Sequence, residues 1–286
     1  MNNRIFVTGA TGTIGREVVA ALAAKGAKPV AASRDAGKAE KLFGDKAEAV
    51  SFSFEDKDTW EPAFRDISAV FLLGPPLDPN LDTLLAPFIK YVKARGTRRL
   101  VYFSALGVEE MAESMPFHSK MEELVKKEGF DFAILRPTFF GSNFRHYEYE
   151  NITERNIVYS PAADGKAAFV DPRDVGEVAA EVLLKQGTHA GRVYQLTGPE
   201  ALSYYDAAAI LSDQLGRKIS YPEPSPEEYA GTLGQAGAPP FVAEYMNKVY
   251  ALIRQGHADK VTSDVKEVTG REPRTLQDTI AYTFKQ

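Results

Sequence analysis

The 286-residue chain contains no cysteine. Disulfides, thiolate nucleophiles and cysteine-ligated zinc or iron–sulfur sites are therefore excluded. Histidine is scarce as well. His118, His146, His189 and His257 lie far apart, so no metal site is expected. No apolar stretch approaches the roughly 18 residues that would cross a bilayer, so no membrane span is expected. The first apolar run carries a glycine turn and lacks a basic leader, so no signal peptide is expected either. The formal net charge of −5 argues against broad binding to nucleic acid or anionic membranes, though it leaves room for a local basic pocket. Internal repeats and low-complexity tracts are missing too. These absences point to a cytoplasmic globular protein, monomer or homodimer, that handles a small molecule.

What the chain does have is glycine in a meaningful pattern. A short apolar strand over residues 4–8 runs into Gly9, Gly12 and Gly15, and a helical pattern starts at once over residues 14–25. A strand, three such glycines and a helix form a cradle for the pyrophosphate of a dinucleotide. The turn and the close approach of backbone to phosphate leave no room for a Cβ. The third glycine lets helix pack on strand. The helix N-terminus then offers unpaired N–H groups and a partial positive charge to the anion. Thr11, Thr13 and Ile14 fill the rest of this turn.

Downstream, strands and helices alternate with short connections. Strands are expected over residues 28–33, 47–54, 69–73, 99–104 and 131–136. Helices are expected over 35–43, 58–64 with Asp58 as N-cap, 81–94 ended by Gly96, and 113–128 ended by Gly129. Runs such as Ala69-Val-Phe-Leu-Leu73 are apolar throughout, as strands buried on both faces should be. The pattern predicts an α/β fold: a Rossmann-like, doubly wound parallel sheet with a smaller C-terminal α/β substrate lobe. After Pro137 aromatic and polar residues mix. Helices are expected over 173–185, 204–215 and 239–255, a capped helix start at Ser225, and strands at 193–197 and 218–221. The division expected is residues 1–137 for dinucleotide binding, with about 166–198 returning to it, and 138–286 for the substrate lobe.

The end of the second strand selects the dinucleotide. An acid there would hold a free ribose 2′-hydroxyl. This strand instead ends in Ser33, followed by Arg34, with Lys38 one helical turn on. A hydroxyl and two cations suit a 2′-phosphate, so NADP(H) is expected ahead of NAD(H). Asp35 is either the ribose acid or the N-cap of the next helix. Phe54, after the third strand, is placed to touch adenine. Leu73, Gly74 and Pro75, after the fourth, are placed to pass close to the ribose and diphosphate.

Several strings together resemble a known family. Thr8-Gly-Ala-Thr-Gly-Thr-Ile-Gly15, Ser33-Arg34, Phe103-Ser-Ala-Leu106 and Leu135-Arg-Pro-Thr-Phe-Phe140 resemble the NmrA-like, atypical short-chain dehydrogenase/reductases. Ala69-Val-Phe-Leu-Leu-Gly-Pro-Pro76, Leu196-Thr-Gly-Pro-Glu200 and Leu215-Gly-Arg-Lys218 are most similar to the festuclavine/agroclavine dehydrogenase branch of ergot alkaloid biosynthesis. The resemblance implies NADP(H) binding and hydride transfer to imines, quinones, dyes or activated double bonds. The family also includes NADP(H) sensors that catalyse nothing and bind a protein partner, which stands as the alternative function.

The resemblance also implies where chemistry would sit. Ketone-reducing relatives use a Tyr-x-x-x-Lys pair, in which tyrosine gives the proton. That spacing puts Pro116 at the tyrosine position, and proline has no proton to give. Lys120 remains, in a Phe117-His-Ser-Lys120 string similar to that of isoflavone-reductase-like enzymes, and is expected to contact cofactor or substrate. Ser104 matches the family's active-site hydroxyl, and His118 is a candidate proton donor. Pro137, Thr138, Phe139 and Phe140 are expected to abut the nicotinamide. Phe139, Phe140, Phe144, Tyr147, Tyr149 and Phe169 are dense enough to suggest a pocket for a flat substrate. Without the tyrosine, an acceptor that ends neutral, such as an iminium cation, or a quinone or enone, suits the chain better than a simple ketone.

Overall fold

The computed structural model describes residues 4–185 and 187–285. The first half runs β1 (Ile5–Val7), α1 (Thr13–Ala24), β2 (Val30–Ser33), α2 (Ala36–Phe43), β3 (Glu48–Ser51), α3 (Trp60–Ala63) and β4 (Ala69–Leu72). It continues with α4 (Leu81–Ala94), β5 (Arg99–Phe103), α5 (Phe117–Lys127) and β6 (Asp131–Pro137). Then come α6 (Asn143–His146), α7 (Tyr149–Glu154), β7 (Lys166–Ala167), α8 (Pro172–Leu184), β8 (Arg192–Leu196) and β9 (Leu202–Ser203). The chain closes with α9 (Tyr204–Leu215), α10 (Pro226–Gln235), α11 (Pro240–Arg254), α12 (Asp264–Thr269) and α13 (Leu276–Thr283).

The doubly wound sheet expected from the alternation is present. Its order is β3-β2-β1-β4-β5-β6-β8, and the ladders from β3 through β6 are parallel. The order reverses between β1 and β4. In open α/β sheets that switch point opens a crevice beyond the carboxyl ends of the strands, where ligands bind. β1, β2 and β4 are buried at every position, which is why β1 and β4 read as unbroken apolar runs and β2 is polar only at its terminal Ser33.

The chain divides into two compact units. The first holds the chain up to Arg136 with Pro172–Gln195 and Asp264–Gly270; the second holds Pro137–Asp171, Leu196–Ser263 and the chain from Arg271. The first unit has an aromatic core on one face of its sheet. The Phe6 ring lies 5.2 Å edge-on from both Phe52 and Phe64, and Phe88 lies 5.3 Å from Trp60. Such edge-to-face geometry contributes beyond area burial. Asp264 ties the late segment to this unit by accepting the Gln195 N–H at 2.6 Å. The core of the second unit gathers Phe144, Phe169, Tyr204, Tyr221 and Tyr250.

Three local expectations need correction. Asp58 is not an N-cap; Asp56 accepts the Asp58 N–H and opens a 3₁₀ turn over Lys57–Thr59 that leads into α3. The helix expected from residue 113 starts only at Phe117, because Pro116 takes the N-cap position. A residue before proline is pushed out of the helical region, so the charged run upstream stays in turns. Residues 218–221 form no strand, only a bridge from Ser220 to Ile157. By contrast, Ser225 does cap α10, in a capping box with Glu228. Helices α12 and α13 were not anticipated. Thr275 and Asp278 form the capping box of α13 and were its missed signal.

Candidate functional site

The glycine turn has the geometry its composition requires. Gly9 sits at φ 60°, a left-handed conformation that side-chain-bearing residues avoid, and a Cβ on it would press on Leu73 at 3.2 Å. A Cβ on Gly15 would overlap the Gly9 carbonyl oxygen and lie 2.7 Å from the Ala10 Cα. The turn is closed by the Gly12 N–H, which donates to the Gly9 carbonyl at 3.0 Å. Gly12 is the N-cap of α1 and provides no side-chain cap; the first turn carries no acid. The first N–H groups of α1, at Thr13 and Ile14, thus receive no side-chain cap, the condition in which a helix start suits an external anion.

Thr8, passed over in the sequence, holds this turn to the next strand. Its hydroxyl donates to the Leu73 carbonyl at 2.8 Å and accepts the Leu73 N–H at 2.8 Å. Both backbone polar groups of one residue are thereby fixed, and Leu73 and Gly74 are held beside the glycines. A side chain on Gly74 would overlap Leu81. The signal was available: a buried hydroxyl residue closing an apolar strand needs a partner. Pro75 follows, exposed.

At the end of β2 the structure resolves the alternative at Asp35. Its carboxylate accepts the Lys38 N–H at 2.9 Å and caps α2. Ser33 Oγ accepts the Asp35 N–H at 3.2 Å and lies 3.4 Å from the Thr11 hydroxyl. Thr11 and Ser33 are thus neighbours across the turn. Arg34 and Lys38 are exposed, and neither is ion-paired with a described residue. Phe54 is half-buried, edge-on to Phe52 at 5.0 Å and to Phe88 at 5.5 Å.

The residues expected to do chemistry are engaged. Ser104 is 2% exposed and its hydroxyl donates to Glu122 at 2.7 Å. Arg136 forks onto the same carboxylate with bonds of 2.9 and 2.7 Å. Burial pushes the Glu122 carboxyl up, but the hydrogen bonds from Arg136 and Ser104 outweigh it and hold it below the ordinary carboxylate range. Lys120 is exposed and pairs with Asp82 on α4 at 3.2 Å. His118 Nδ1 lies 2.7 Å from the Tyr102 hydroxyl. Burial lowers the His118 pKa to about 4, with Glu122 opposing only in part. At neutral pH His118 therefore has no imidazolium proton to give. The expectation of His118 as proton donor meets this obstacle, and the buried Tyr102 hydroxyl is its polar partner.

In the second unit, Pro137 and Thr138 are buried and Phe139 and Phe140 half-buried. Thr138 Oγ1 is enclosed with no hydrogen-bond partner among the described residues. Phe139 packs 6.0 Å from Tyr250. The aromatic set expected to line a flat pocket separates. Phe144 and Phe169 are core residues, 2% and 3% exposed, while Tyr147 is 70% and Tyr149 44% exposed. Alternation of aromatics along a chain does not say which side chains share a core. Glu148, unremarked in the sequence, is buried and accepts from Asn151, the Tyr159 N–H and Ser160. Burial pushes its carboxyl up, and those hydrogen bonds offset this only in part.

Known proteins agree with this geometry. A family model described as NAD(P)H-binding matches residues 9–186. Prestalk A differentiation protein A of Dictyostelium discoideum is 31% identical, covering 98% of this chain and 92% of its own. Agroclavine dehydrogenase of Claviceps fusiformis is 32% identical over 77% of this chain and 76% of its own. Among solved structures, the Citrobacter sp. triphenylmethane reductase complexed with NADP(H) superposes with a TM-score of 0.85 and 25% identity, covering 98% and 99% of the two chains. The chain belongs to the NAD(P)H-binding family. Within it the chain is an NAD(P)H-dependent oxidoreductase with a Rossmann-like fold, and the resemblance to the clavine dehydrogenase branch holds.

Proposed function

We propose that the chain binds NADP(H) at the ends of β1, β2 and β4 and reduces a flat, unsaturated or cationic small molecule. The observation that carries this is the uncapped start of α1 behind a turn in which Gly9 is left-handed and a Cβ on Gly15 has no place. Gly9, Thr11, Gly12, Thr13, Ile14 and Gly15 would hold the diphosphate. Leu73, Gly74 and Pro75 would flank it, and Phe54 would meet adenine. Ser33, Arg34 and Lys38 would take the 2′-phosphate. Asp35 caps α2 through Oδ1, which favours the helix-cap role over that of ribose acid. Pro137, Thr138, Phe139 and Phe140 remain proposed contacts, Thr138 with an unspent hydroxyl. When bound, the nicotinamide supplies a hydride; the protein orients it and excludes water.

The proton inventory favours the substrate class. Pro116 has no proton, Ser104 directs its hydrogen to Glu122, and His118 is neutral. An acceptor that becomes neutral on receiving hydride, such as an iminium or a triarylmethyl cation, needs no acid at the reacting atom. The relatives named as a clavine dehydrogenase and a triphenylmethane reductase fit that chemistry.

Two measurements test this. Arg34→Ala is expected to raise the Kd for NADPH by about ten- to a hundredfold and to leave NADH nearly unchanged, as loss of a charge-assisted phosphate contact requires. Equal losses for both coenzymes would overturn the 2′-phosphate assignment. NADPH oxidation is then followed with iminium compounds, triphenylmethane dyes, quinones and simple ketones. Turnover of the cations ahead of the ketones is expected. Tight NADPH binding without turnover on any of them would make the chain a sensor.

A further inference from the structure

The inner face of α5 carries two polar anchors one turn apart. His118 meets Tyr102 of β5, and Glu122 meets Ser104 just beyond β5 and Arg136 of β6. The Glu122 and Arg136 side chains are 3% and 12% exposed. Lys120 lies two residues from each anchor, so it projects from the opposite side of the helix, at about 200° around the axis. There it is 56% exposed and reaches Asp82. The carboxylate is therefore fixed from two sides at once, by Ser104 beyond β5 and Arg136 of β6, while Lys120 across the helix is exposed.

A buried ion pair is a poor way to stabilise a fold. Desolvation consumes most of its attraction, and apolar pairs of similar volume often do as well or better. Its distinct capability is geometric. A forked guanidinium–carboxylate pair admits one arrangement of the two side chains, whereas apolar packing tolerates small rotations. Arg136 also reaches Glu109 at 2.9 Å, in the segment joining β5 to α5. One guanidinium thus holds both the helix and the loop that leads into it.

We propose that Glu122, through Arg136 and Ser104, is a positioning residue that sets the rotation of α5 and so presents Lys120 to the bound coenzyme. This rests on the functional reading above, in which Lys120 is a ligand contact. Glu122 touches no ligand itself. Ser104, with its hydrogen committed to Glu122, belongs to the same device and not to a proton-delivery path.

The test compares four proteins by NADPH titration and thermal melting: the native chain, Lys120→Met, the paired Glu122→Leu/Arg136→Met, and all three changes together. The paired variant, which leaves only the Ser104 hydroxyl unpaired, is expected to melt well above Glu122→Ala and modestly below the native chain, yet bind NADPH about tenfold more weakly. Lys120→Met is expected to weaken binding at least as much, and the triple variant no further, because the pair acts only through the lysine. Native affinity in a well-folded paired variant would overturn the proposal, as would losses that simply add. Should the paired variant not fold, Glu122→Gln with and without Lys120→Met takes its place, with the same pattern of non-additivity required. A native chain that binds no NADPH would instead bring down the functional reading, a result separable from the others because it needs no variant.

Discussion

Gly15→Val is expected to abolish coenzyme binding, raising the Kd for NADPH by more than about a hundredfold. Even the first carbon of the new side chain falls on the Gly9 carbonyl and within 2.7 Å of the Ala10 Cα. These are backbone atoms of the turn and cannot rotate away. Two further methyl groups then have to be housed by moving α1 off the turn. Overpacking of this kind costs about 1–3 kcal/mol, and here it also displaces the N–H groups that face the anion. Gly26→Ala is the control. Gly26 is also at a positive φ, but a Cβ there meets nothing within 4 Å, so only backbone strain is introduced. Gly26→Ala should melt somewhat lower and bind normally. Native affinity in Gly15→Val, measured by fluorescence titration or calorimetry, would remove the cradle from the argument.

Glu122→Ala should destabilise the first unit by about 3–5 kcal/mol, because it strands a nearly buried guanidinium and leaves the Ser104 hydroxyl without its acceptor. The contrast with the paired apolar variant is instructive: removing one charge is expensive, removing both is not. Trp60 is the single tryptophan and is buried in the first unit, so its fluorescence during urea unfolding reports on the relevant part. The pH dependence has a definite sign. The folded Glu122 carboxyl lies below its ordinary value, so it binds protons less readily folded than unfolded. Its contribution is present above the unfolded value, about 4.3, and is lost as pH falls through the depressed folded value. Glu148 acts oppositely. Its carboxyl is raised by burial, so its contribution is present below the ordinary value and lost as pH rises through the raised one. Glu122→Ala should therefore reduce the acid sensitivity of the Trp60 transition, leaving the part that other lowered carboxylates such as Glu181 contribute. An unchanged urea midpoint and an unchanged acid limb would show the ion pair to be energetically idle.

Much of the fold was legible because local rules and tertiary packing agree in the first half. A strand that must be buried on both faces is written mostly in apolar residues, and β1 and β4 are apolar throughout while β2 is apolar up to its terminal Ser33. Helix ends marked by Gly96 and Gly129 fall where expected, since both adopt positive φ values that other residues avoid. The failures have local causes. Two aspartates two residues apart compete to cap the same turn, and Asp56 prevails over Asp58. Proline at 116 stops a helix that charge and periodicity alone would extend.

The sequence by itself determined the glycine cradle, the alternation that builds a parallel sheet, the two cations beyond β2 and the missing proton donor at Pro116. Each of these follows from what one residue type can or cannot do sterically or chemically, so neighbours in the chain suffice to read it. Only the tertiary structure decided which polar groups are already spoken for. Adjacent Glu122 and Glu123 look alike in the chain, yet helix phase and a fork from β6 make one a buried anchor and leave the other exposed. Likewise Thr8 holds Leu73, 65 residues away, and the Ser104 hydroxyl donates a hydrogen bond to Glu122 across the gap from β5 to α5. A hydrogen bond depends on distance and direction in space, and those are set by how the strands and helices stack, which no local pattern records.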